Sequence, residues 1–305
     1  MRRLKILLGL ITSDNDYQRE QAAQAEATAR TLGLDLRIVY AEGDAVVQSQ
    51  QLLDAVQAPA ASRPEGIIFD PVSSTGLPHV ARAAIAAGVA WATIDLKPAY
   101  LPELRSSDSA VAFGIGSDQV EVGRIQSQQL ARLVPQGGGV LVIQGPSDNL
   151  TARERLQGLQ DAKPANVNLR ILKGKWSQES GHHAAAVYLQ LPTARAGDVQ
   201  AIAAQTDVMA VGARRAFEEV SNRLEREKWL SLPFLGCDGL PGTGQAWVRS
   251  GQLAATIVIQ PNAPQAINVM VGALSNRGRP PESIVTAPKS YPELSLLEPL
   301  RRLSS

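Results

Sequence analysis

Polar and aromatic side chains follow the ends of many short apolar runs in this sequence. They comprise acids, amides, hydroxyls, one arginine and two aromatic rings: Asp14, Asn15, Tyr17, Asp70, Ser73, Ser74, Asp95, Ser147, Asn149, Arg153, Trp176, Thr206 and Asp238. Carboxylate and guanidinium groups form charge-assisted hydrogen bonds, and aromatic rings cover apolar C–H faces. These residue types therefore predict a site that binds a small polar molecule.

The groups that a covalent catalyst or a metal site needs are missing from the sequence. Neither a G-x-S-x-G motif nor a G-x-x-x-x-G-K-[ST] loop occurs. Cys237 is the single cysteine, and His182 and His183 are adjacent, so on a helix they would not share a face. The glycines at 137–139 precede an apolar run, which predicts a tight turn and not a dinucleotide site. We predict no catalytic residue, no metal and no cofactor.

The composition excludes several classes of partner. The 305 residues carry 30 Lys and Arg against 29 Asp and Glu, a net charge of +1 that steers the chain toward neither nucleic acid nor an anionic membrane. No apolar run reaches the roughly 18 residues that span a bilayer. We therefore predict no nucleic-acid partner and no direct membrane insertion. This length and a hydrophobic fraction of 44% predict two domains.

The first eleven residues imitate a signal peptide, with a basic front and an apolar middle. Lys5 interrupts the apolar stretch, and no small-x-small cleavage site precedes Thr12. We interpret this segment as a first buried strand. The expected location is the periplasm if a leader has been trimmed, and the cytoplasm otherwise.

Predicted strands alternate with predicted helices along the whole chain. The strands are at 4–11, 36–40, 66–71, 89–94, 140–144, 169–172, 201–203, 234–237 and 254–259. The helices are at 21–32, 46–56, 79–87, 119–133, 151–161, 182–191, 208–220, 244–249 and 263–274, with a loop at 101–109. Two such runs predict an α/β fold of two doubly wound parallel-sheet lobes. Ligands of these sheets bind outside the carboxyl ends of the strands, where the polar residues follow.

Each candidate residue also has a purely structural interpretation. Asp95 could cap a helix or a turn, a common role for an aspartate after a strand. Arg153 lies in a run of alternating charge that is typical of a solvated helix face. Tyr17 and Trp176 could serve in packing. Their shared position at strand ends favours the binding role.

Six segments carry a resemblance to a known family. They are 66–74 (GIIFDPVSS), 86–95 (AAGVAWATID), 152–158 (ARERLQG), 205–213 (QTDVMAVGA), 235–239 (LGCDG) and 251–257 (GQLAATI). In order and spacing they resemble the type I periplasmic binding proteins, in the ribose- and galactose-binding branch. That branch shares its fold with the effector domains of LacI-type repressors. The resemblance runs from Leu4 to about Pro288.

The resemblance implies two lobes joined by three crossovers and closing on a small sugar or polyol. The N-terminal lobe would hold 1–117 and 260–285, and the C-terminal lobe 118–259 and 286–305. The implied ligand contacts are Asn15, Tyr17, Asp95, Arg153, Trp176, Thr206, Asp238 and, at a crossover, Gln260 or Ile259. The implied function is non-catalytic solute binding for transport or sensing, with an ABC permease or a sensor kinase as partner.

Four positions depart from the ribose-binding pattern. Leu96 stands where an arginine is expected, Gln18 where a phenylalanine is, Thr206 where an asparagine is, and Ile259 where a glutamine is. Losing the arginine removes a bidentate donor, which argues against ribose itself and leaves a related sugar or polyol.

Two alternative functions stay open. The first is a cytosolic sensor that acts on a kinase or a transcriptional regulator through protein contact. The second is an enzyme or a phospho-acceptor, because Asp14, Asp16 and Asp70 resemble the acidic pocket of a response-regulator receiver. The matching organisation of the second half argues against the receiver.

Overall fold

The computed structural model describes residues 3–106, 110–192, 194, 198–276 and 278–299. The chain divides into two compact units. The first unit holds Met1–Ser117 and Pro261–Thr286, and the second holds Asp118–Gln260 and Ala287–Ser305. The chain therefore passes between the units at three connections, which directly follow Ser117, Gln260 and Thr286.

The first unit is a parallel sheet with helices on both faces. Its strands are β1 (Lys5–Leu10), β2 (Asp35–Tyr40), β3 (Gly66–Phe69), β4 (Ala90–Ile94), β5 (Ala112–Ser117) and β11 (Ser283–Thr286), in the order β11-β5-β4-β3-β1-β2. Its helices are α1 (Asp16–Leu32), α2 (Ala45–Gln57), α3 (Pro78–Ala86), α4 (Leu101–Leu104) and α11 (Ala263–Asn276). The described strand pairs of this sheet are all parallel.

The central strands of this sheet are mostly apolar because both of their faces are covered. Ile68 packs in one core with Ala25 of α1 and Ile267 of α11. Phe69, the next residue, points to the opposite face and packs in a second core with Leu52 of α2. Alternation of side chains along each strand thus feeds two cores, and it leaves the strand ends to carry the polar groups.

The second unit repeats this plan on a smaller sheet. Its strands are β6 (Gly138–Gln144), β7 (Val167–Lys173), β8 (Val199–Ala204) and β9 (Phe234–Leu235), all parallel in the order β7-β6-β8-β9, and β10 (Thr256–Val258) pairs antiparallel with β12 (Lys289–Tyr291). Its helices are α5 (Gln119–Leu133), α6 (Leu150–Ala162), α7 (Gln178–Leu189), α8 (Asp207–Glu218), α9 (Arg223–Leu230) and α10 (Gly244–Arg249), and a 3₁₀ turn spans Leu294–Leu296. Phe217 and Trp229 stack in its core with ring centroids 4.7 Å apart.

The α/β fold class with two parallel-sheet lobes is confirmed. One local prediction is wrong: the expected loop at 101–109 begins with helix α4, since Leu101 and Leu104 are buried and Pro102 lies in its first turn. Residues 107–109 of that loop lie outside the described ranges. Strand β5 was not predicted because Gly114 and Gly116 lower its strand propensity. Strands β11 and β12 and helix α9 were also missed.

Within the described ranges, every helix is too short or too polar to cross a bilayer.

Candidate functional site

Three of the predicted ligand residues have a backbone conformation that side chains rarely adopt. Asp95, Trp176 and Asp238 have φ angles of 60°, 64° and 101°. Among the described residues, only two other non-glycine positions have positive φ, Glu42 and Leu77. Such conformations cost of order 1–3 kcal/mol each and cluster at functional sites. The strand ends of both units therefore hold their polar side chains at an energetic cost.

Asp95 follows β4 in the first unit, and both of its carboxylate oxygens are held. Oδ2 accepts a hydrogen bond from Gln21 Nε2 at 2.9 Å, and Oδ1 accepts one from Asn262 Nδ2 at 2.5 Å. The backbone N–H of Asp95 donates to Ile115 O at 2.8 Å. A Cβ atom at position 116 would lie 3.3 Å from the Asp95 Cα, so Gly116 allows the strands to approach closely here. The carboxylate is half-buried and fixed in direction.

Asp70 follows the neighbouring strand β3 and is buried. Its Oδ2 accepts a hydrogen bond from Gln18 Nε2 at 2.6 Å. Burial and the negative charge of Asp95 raise the pKa of Asp70 well above its usual range, while the Gln18 hydrogen bond acts in the opposite direction. The first unit thus pairs a half-buried aspartate with a fully buried one that favours its protonated form.

We expect Asp70→Asn to reduce the pH dependence of stability. Because the folded-state pKa of Asp70 is raised above the value of about 3.9 in an unfolded chain, the folded protein holds an extra proton between these two values. The stabilisation that this proton gives is complete below the pKa of Asp70 in the unfolded chain. It is lost as the pH rises through the pKa of Asp70 in the folded protein. Asparagine cannot ionise, so the variant should be more stable than the wild type at pH 8.

Urea unfolding at pH 4, 6 and 8 measures this effect. Asp54→Asn is the matched control, since Asp54 is an exposed aspartate on α2. If the unfolding free energy of Asp70→Asn changes with pH as steeply as that of the control, the prediction is wrong.

Asn15 and Tyr17 lie at the start of α1, next to the end of β1. Asn15 caps the helix, because its Oδ1 accepts hydrogen bonds from the backbone N–H groups of Tyr17 at 2.8 Å and Gln18 at 3.2 Å. A bound molecule would therefore meet the amide nitrogen of Asn15, a donor. The Tyr17 ring is half-buried.

The second unit repeats the aspartate pair. Asp238 follows β9, and its side chain is 14% exposed. Asp207, the first residue of α8, is buried and accepts hydrogen bonds from Gly239 N at 2.7 Å and Thr256 Oγ1 at 2.5 Å. Burial and the charge of Asp238 raise the pKa of Asp207 well above its usual range, against the lowering effect of its hydrogen bonds and of Arg155.

The arginine beside Asp238 is Arg155, which the sequence analysis did not select. Its Nε donates to Gln119 Oε1 at 2.8 Å, and Nη1 donates to Gln205 O at 2.5 Å. Nη1 lies 3.8 Å from Asp238 Oδ1, and the guanidinium carbon lies 5.8 Å from the centre of the Trp176 ring. The guanidinium of Arg155 thus lies against both the carboxylate of Asp238 and the indole of Trp176.

The remaining predicted residues of this unit lie as follows. Arg153 is on the same helix as Arg155 but is exposed. Trp176 is half-buried, and a Cβ atom at position 145 would lie 2.3 Å from its ring, so the space for the indole depends on Gly145. Thr206 is buried and caps α8, with its Oγ1 accepting from Met209 N at 3.2 Å.

Ile259 and Gln260 are the two residues predicted as the ligand contact at the second connection, and they differ in exposure. Ile259 is buried in the second unit, whereas Gln260 is exposed. Gln260 therefore contributes the exposed polar side chain at this position.

Helix periodicity would have found the missed residues that lie on α1 and α6. Ala152, Arg155 and Leu159 are spaced i, i+3 and i+7 and form the buried face of α6, so the phase of that helix distinguishes Arg155 from Arg153. Gln18 and Gln21 share the buried face of α1 in the same way. Asn262 carries no comparable local signal. Within the described ranges, no cluster of three or more His, Cys, Asp or Glu residues could hold a metal ion.

Residues 6–278 of the chain match the family model described as a periplasmic binding protein domain. The chain belongs to this family. It is a solute-binding protein, and the resemblance seen in the sequence is confirmed. The similar proteins of known role are binding proteins and not enzymes.

Three similar proteins illustrate the relationship. The ribose import binding protein of Salmonella typhimurium is 27% identical over 266 residues, which cover 87% of this chain and 82% of that protein. The D-apiose import binding protein of Paraburkholderia graminis is 25% identical over 290 residues, covering 92% and 85%. The structure of an ABC transporter solute binding protein from Actinobacillus succinogenes with bound D-allose has a TM-score of 0.80 at 20% identity, covering 94% and 97%.

Proposed function

We propose that this protein is the sugar-binding component of an ABC importer and that its ligand is a neutral sugar or polyol. One observation carries the proposal: in each unit an aspartate of left-handed conformation follows a buried strand and lies beside a buried aspartate. The similar proteins named for ribose and D-apiose import support a sugar as the ligand class and import as the purpose. Their names favour import over the cytosolic sensor.

The chemistry of the two aspartates suits vicinal hydroxyls. A carboxylate accepts up to about four hydrogen bonds, so donors of the protein and of a ligand can share it. Hydroxyl groups of a sugar would donate to Asp95, with each charge-assisted bond contributing about 1.5–3 kcal/mol. Asp238 offers the same acceptor chemistry in the second unit. The fixed direction of the Asp95 carboxylate lowers the entropic cost of binding.

The proposed contact set is Asn15, Tyr17, Asp95, Arg153, Trp176, Thr206, Asp238 and Gln260. Trp176 and Tyr17 would cover the apolar C–H faces of the sugar ring. Because the Thr206 hydroxyl oxygen already accepts in the helix cap, its role would be to donate. Arg155 would act through Asp238 and Trp176, which it touches.

The proposed location is the periplasm, and the proposed partner is an ABC permease. The similar proteins named for import support both. Cell fractionation tests this part: recovery of the full-length native protein in the cytosolic fraction would favour the sensor instead.

A thermal-shift screen tests the ligand class. We expect one neutral member of a panel of D-ribose, D-apiose, D-allose, D-galactose and myo-inositol to raise the melting temperature, since a ligand at 100 times its Kd stabilises the folded state by about 2.7 kcal/mol. Asp95→Ala and Asp238→Ala should each weaken binding of that sugar at least about tenfold in calorimetry, through loss of one charge-assisted contact.

Two results would count against the proposal. The first is that none of these neutral compounds raises the melting temperature, while a phosphorylated sugar screened beside them, such as ribose 5-phosphate, does. The second is wild-type affinity in both aspartate variants, which would show that the assigned groups do not bind the sugar. Asp54→Ala, an exposed aspartate of the first unit, serves as the matched control.

A further inference from the structure

We propose that Asn262 is a positioning residue for sugar recognition, acting in a hydrogen-bonded relay that links the Asp95 carboxylate to all three connections of the first unit. The relay consists of Ser117, Thr286, Asn262 and Asp95. This inference rests on the proposed function, in which Asp95 binds sugar hydroxyls. It adds residues that touch no sugar and that set how Asp95 is presented.

Three of the four members of the relay lie at the ends of the first unit's chain segments. Ser117 is the last residue before the first connection, and Thr286 is the last before the third. Asn262 is the second residue after the second connection, and its side chain is fully buried. Strands β5 and β11 pair in parallel with Ser117 opposite Thr286, which brings two of these ends side by side.

The hydrogen bonds of the relay have a single direction. Asn262 Nδ2 donates to Asp95 Oδ1 at 2.5 Å, because a carboxylate can only accept. Thr286 Oγ1 donates to Asn262 Oδ1 at 3.2 Å. The Ser117 and Thr286 hydroxyl oxygens are 2.8 Å apart, and since the Thr286 proton is already used, Ser117 is the donor. Every donor in the relay therefore points toward the carboxylate.

A second set of hydrogen bonds joins the Asp95 carboxylate to the residues that follow the second connection. Gln21, fully buried on α1, donates from Nε2 to Asp95 Oδ2 and accepts at Oε1 from the backbone N–H of Ala263 at 2.8 Å. Asp95 is thus tied to the start of α11 twice, directly by Asn262 at Oδ1 and through Gln21 to Ala263 at Oδ2. Hydrogen bonds in such chains polarise one another, so a change at one end alters the strength of the bond at the other.

The relay predicts that residues remote from the sugar affect its binding. Asn262→Ala removes the donor to Asp95 and should raise the Kd about 10- to 100-fold. Thr286→Val keeps the shape of the side chain but removes the hydroxyl, and it should raise the Kd by about three- to tenfold. Thr286→Ser restores the hydroxyl and should return the Kd to within about twofold of the wild type. Asn268→Ala, an exposed asparagine on α11, is the matched control and should leave the Kd unchanged.

The probe is whichever of D-ribose, D-apiose, D-allose, D-galactose and myo-inositol gives the largest thermal shift with the wild type. Calorimetry gives the Kd of each variant, and thermal melting without sugar gives its stability. A purely structural role for Asn262 would lower the melting temperature and leave the Kd alone. In a double-mutant cycle the relay predicts that the effects of Asn262→Ala and Thr286→Val are not additive.

The outcomes separate this inference from the proposed function. If Asp95→Ala loses binding while Asn262→Ala and Thr286→Val bind as the Asn268→Ala control does, the relay is wrong and the sugar site stands. If Asp95→Ala binds as tightly as the wild type, the sugar site itself is wrong. Should Asn262→Ala fail to fold, Thr286→Val and Ser117→Ala decide, and wild-type Kd values in both would overturn the relay.

Discussion

Replacing Arg155 with alanine should lower the free energy of unfolding by about 3–5 kcal/mol, because it removes one member of a buried ion pair. The guanidinium is 8% exposed and is shared among Asp238, Gln119 and Gln205. Its loss would leave Asp238 beside Asp207 with no positive charge from Arg155 to offset their repulsion. Trp176 would also lose the cation that lies over its ring. We therefore expect sugar binding to weaken at least about tenfold.

Arg155→Lys keeps this prediction testable if the alanine variant does not fold. Lysine retains the charge but lacks the planar fork that reaches both glutamines and the carboxylate. We expect it to be more stable than Arg155→Ala and still weaker in sugar binding than the wild type. Arg153→Ala is the matched control for stability, since Arg153 is exposed on the same helix, and it should change the unfolding free energy by less than about 0.5 kcal/mol. Equal stability of Arg153→Ala and Arg155→Ala in denaturant unfolding would refute the role given to Arg155.

Gly158→Ala should destabilise the second unit by about 3 kcal/mol, the upper part of the range for overpacked sites. A Cβ atom at position 158 would lie 1.9 Å from Val120 O, and one at position 123 would lie 2.1 Å from Arg155 O. Helices α5 and α6 thus meet backbone to backbone, with a glycine from each at the contact. The added methyl group must push the helices apart, because the atoms that it meets belong to the backbone.

Gly272→Ala makes the same chemical change where space is open. A Cβ atom at position 272 would have no neighbour within 4 Å, and the residue lies inside helix α11. Alanine there should stabilise the protein by up to about 1 kcal/mol through helix propensity. Thermal or urea unfolding of the two variants checks the opposite signs. A small effect of Gly158→Ala would mean that α5 and α6 can separate at little cost.

The alternation of strands and helices was predictable because both sheets are covered on both faces, which gives each central strand a short apolar run. Strand β5 escaped because its two glycines break that signal, although Gly116 is needed where β5 passes Asp95. Helix α4 escaped because Pro102 and its surroundings have the composition of a loop. In each case a tertiary requirement outweighed the local preference.

In the candidate site too, some residues could be predicted from the sequence and others could not. Asp95 and Asp238 were predictable from their position after a buried strand, where a parallel sheet collects ligand groups. Arg155 was missed because its charge made the whole run 152–155 resemble a solvated face, although its spacing places it on the buried side of α6. Asn262 lies 167 residues from Asp95 in the sequence. No local pattern links two residues so far apart, and only the fold brings them together.

Asp95 and Asp238 contact different neighbouring residues, each within its own unit, and this matters for changing the ligand selectivity by design. Asp95 is held by Gln21 and Asn262 of the first unit, and Asp238 is approached by Arg155 of the second. A designer could therefore rebuild the scaffold around one carboxylate without disturbing the hydrogen bonds described for the other. Libraries that vary a single unit should yield biosensors with altered selectivity, and gains found in separate libraries should combine.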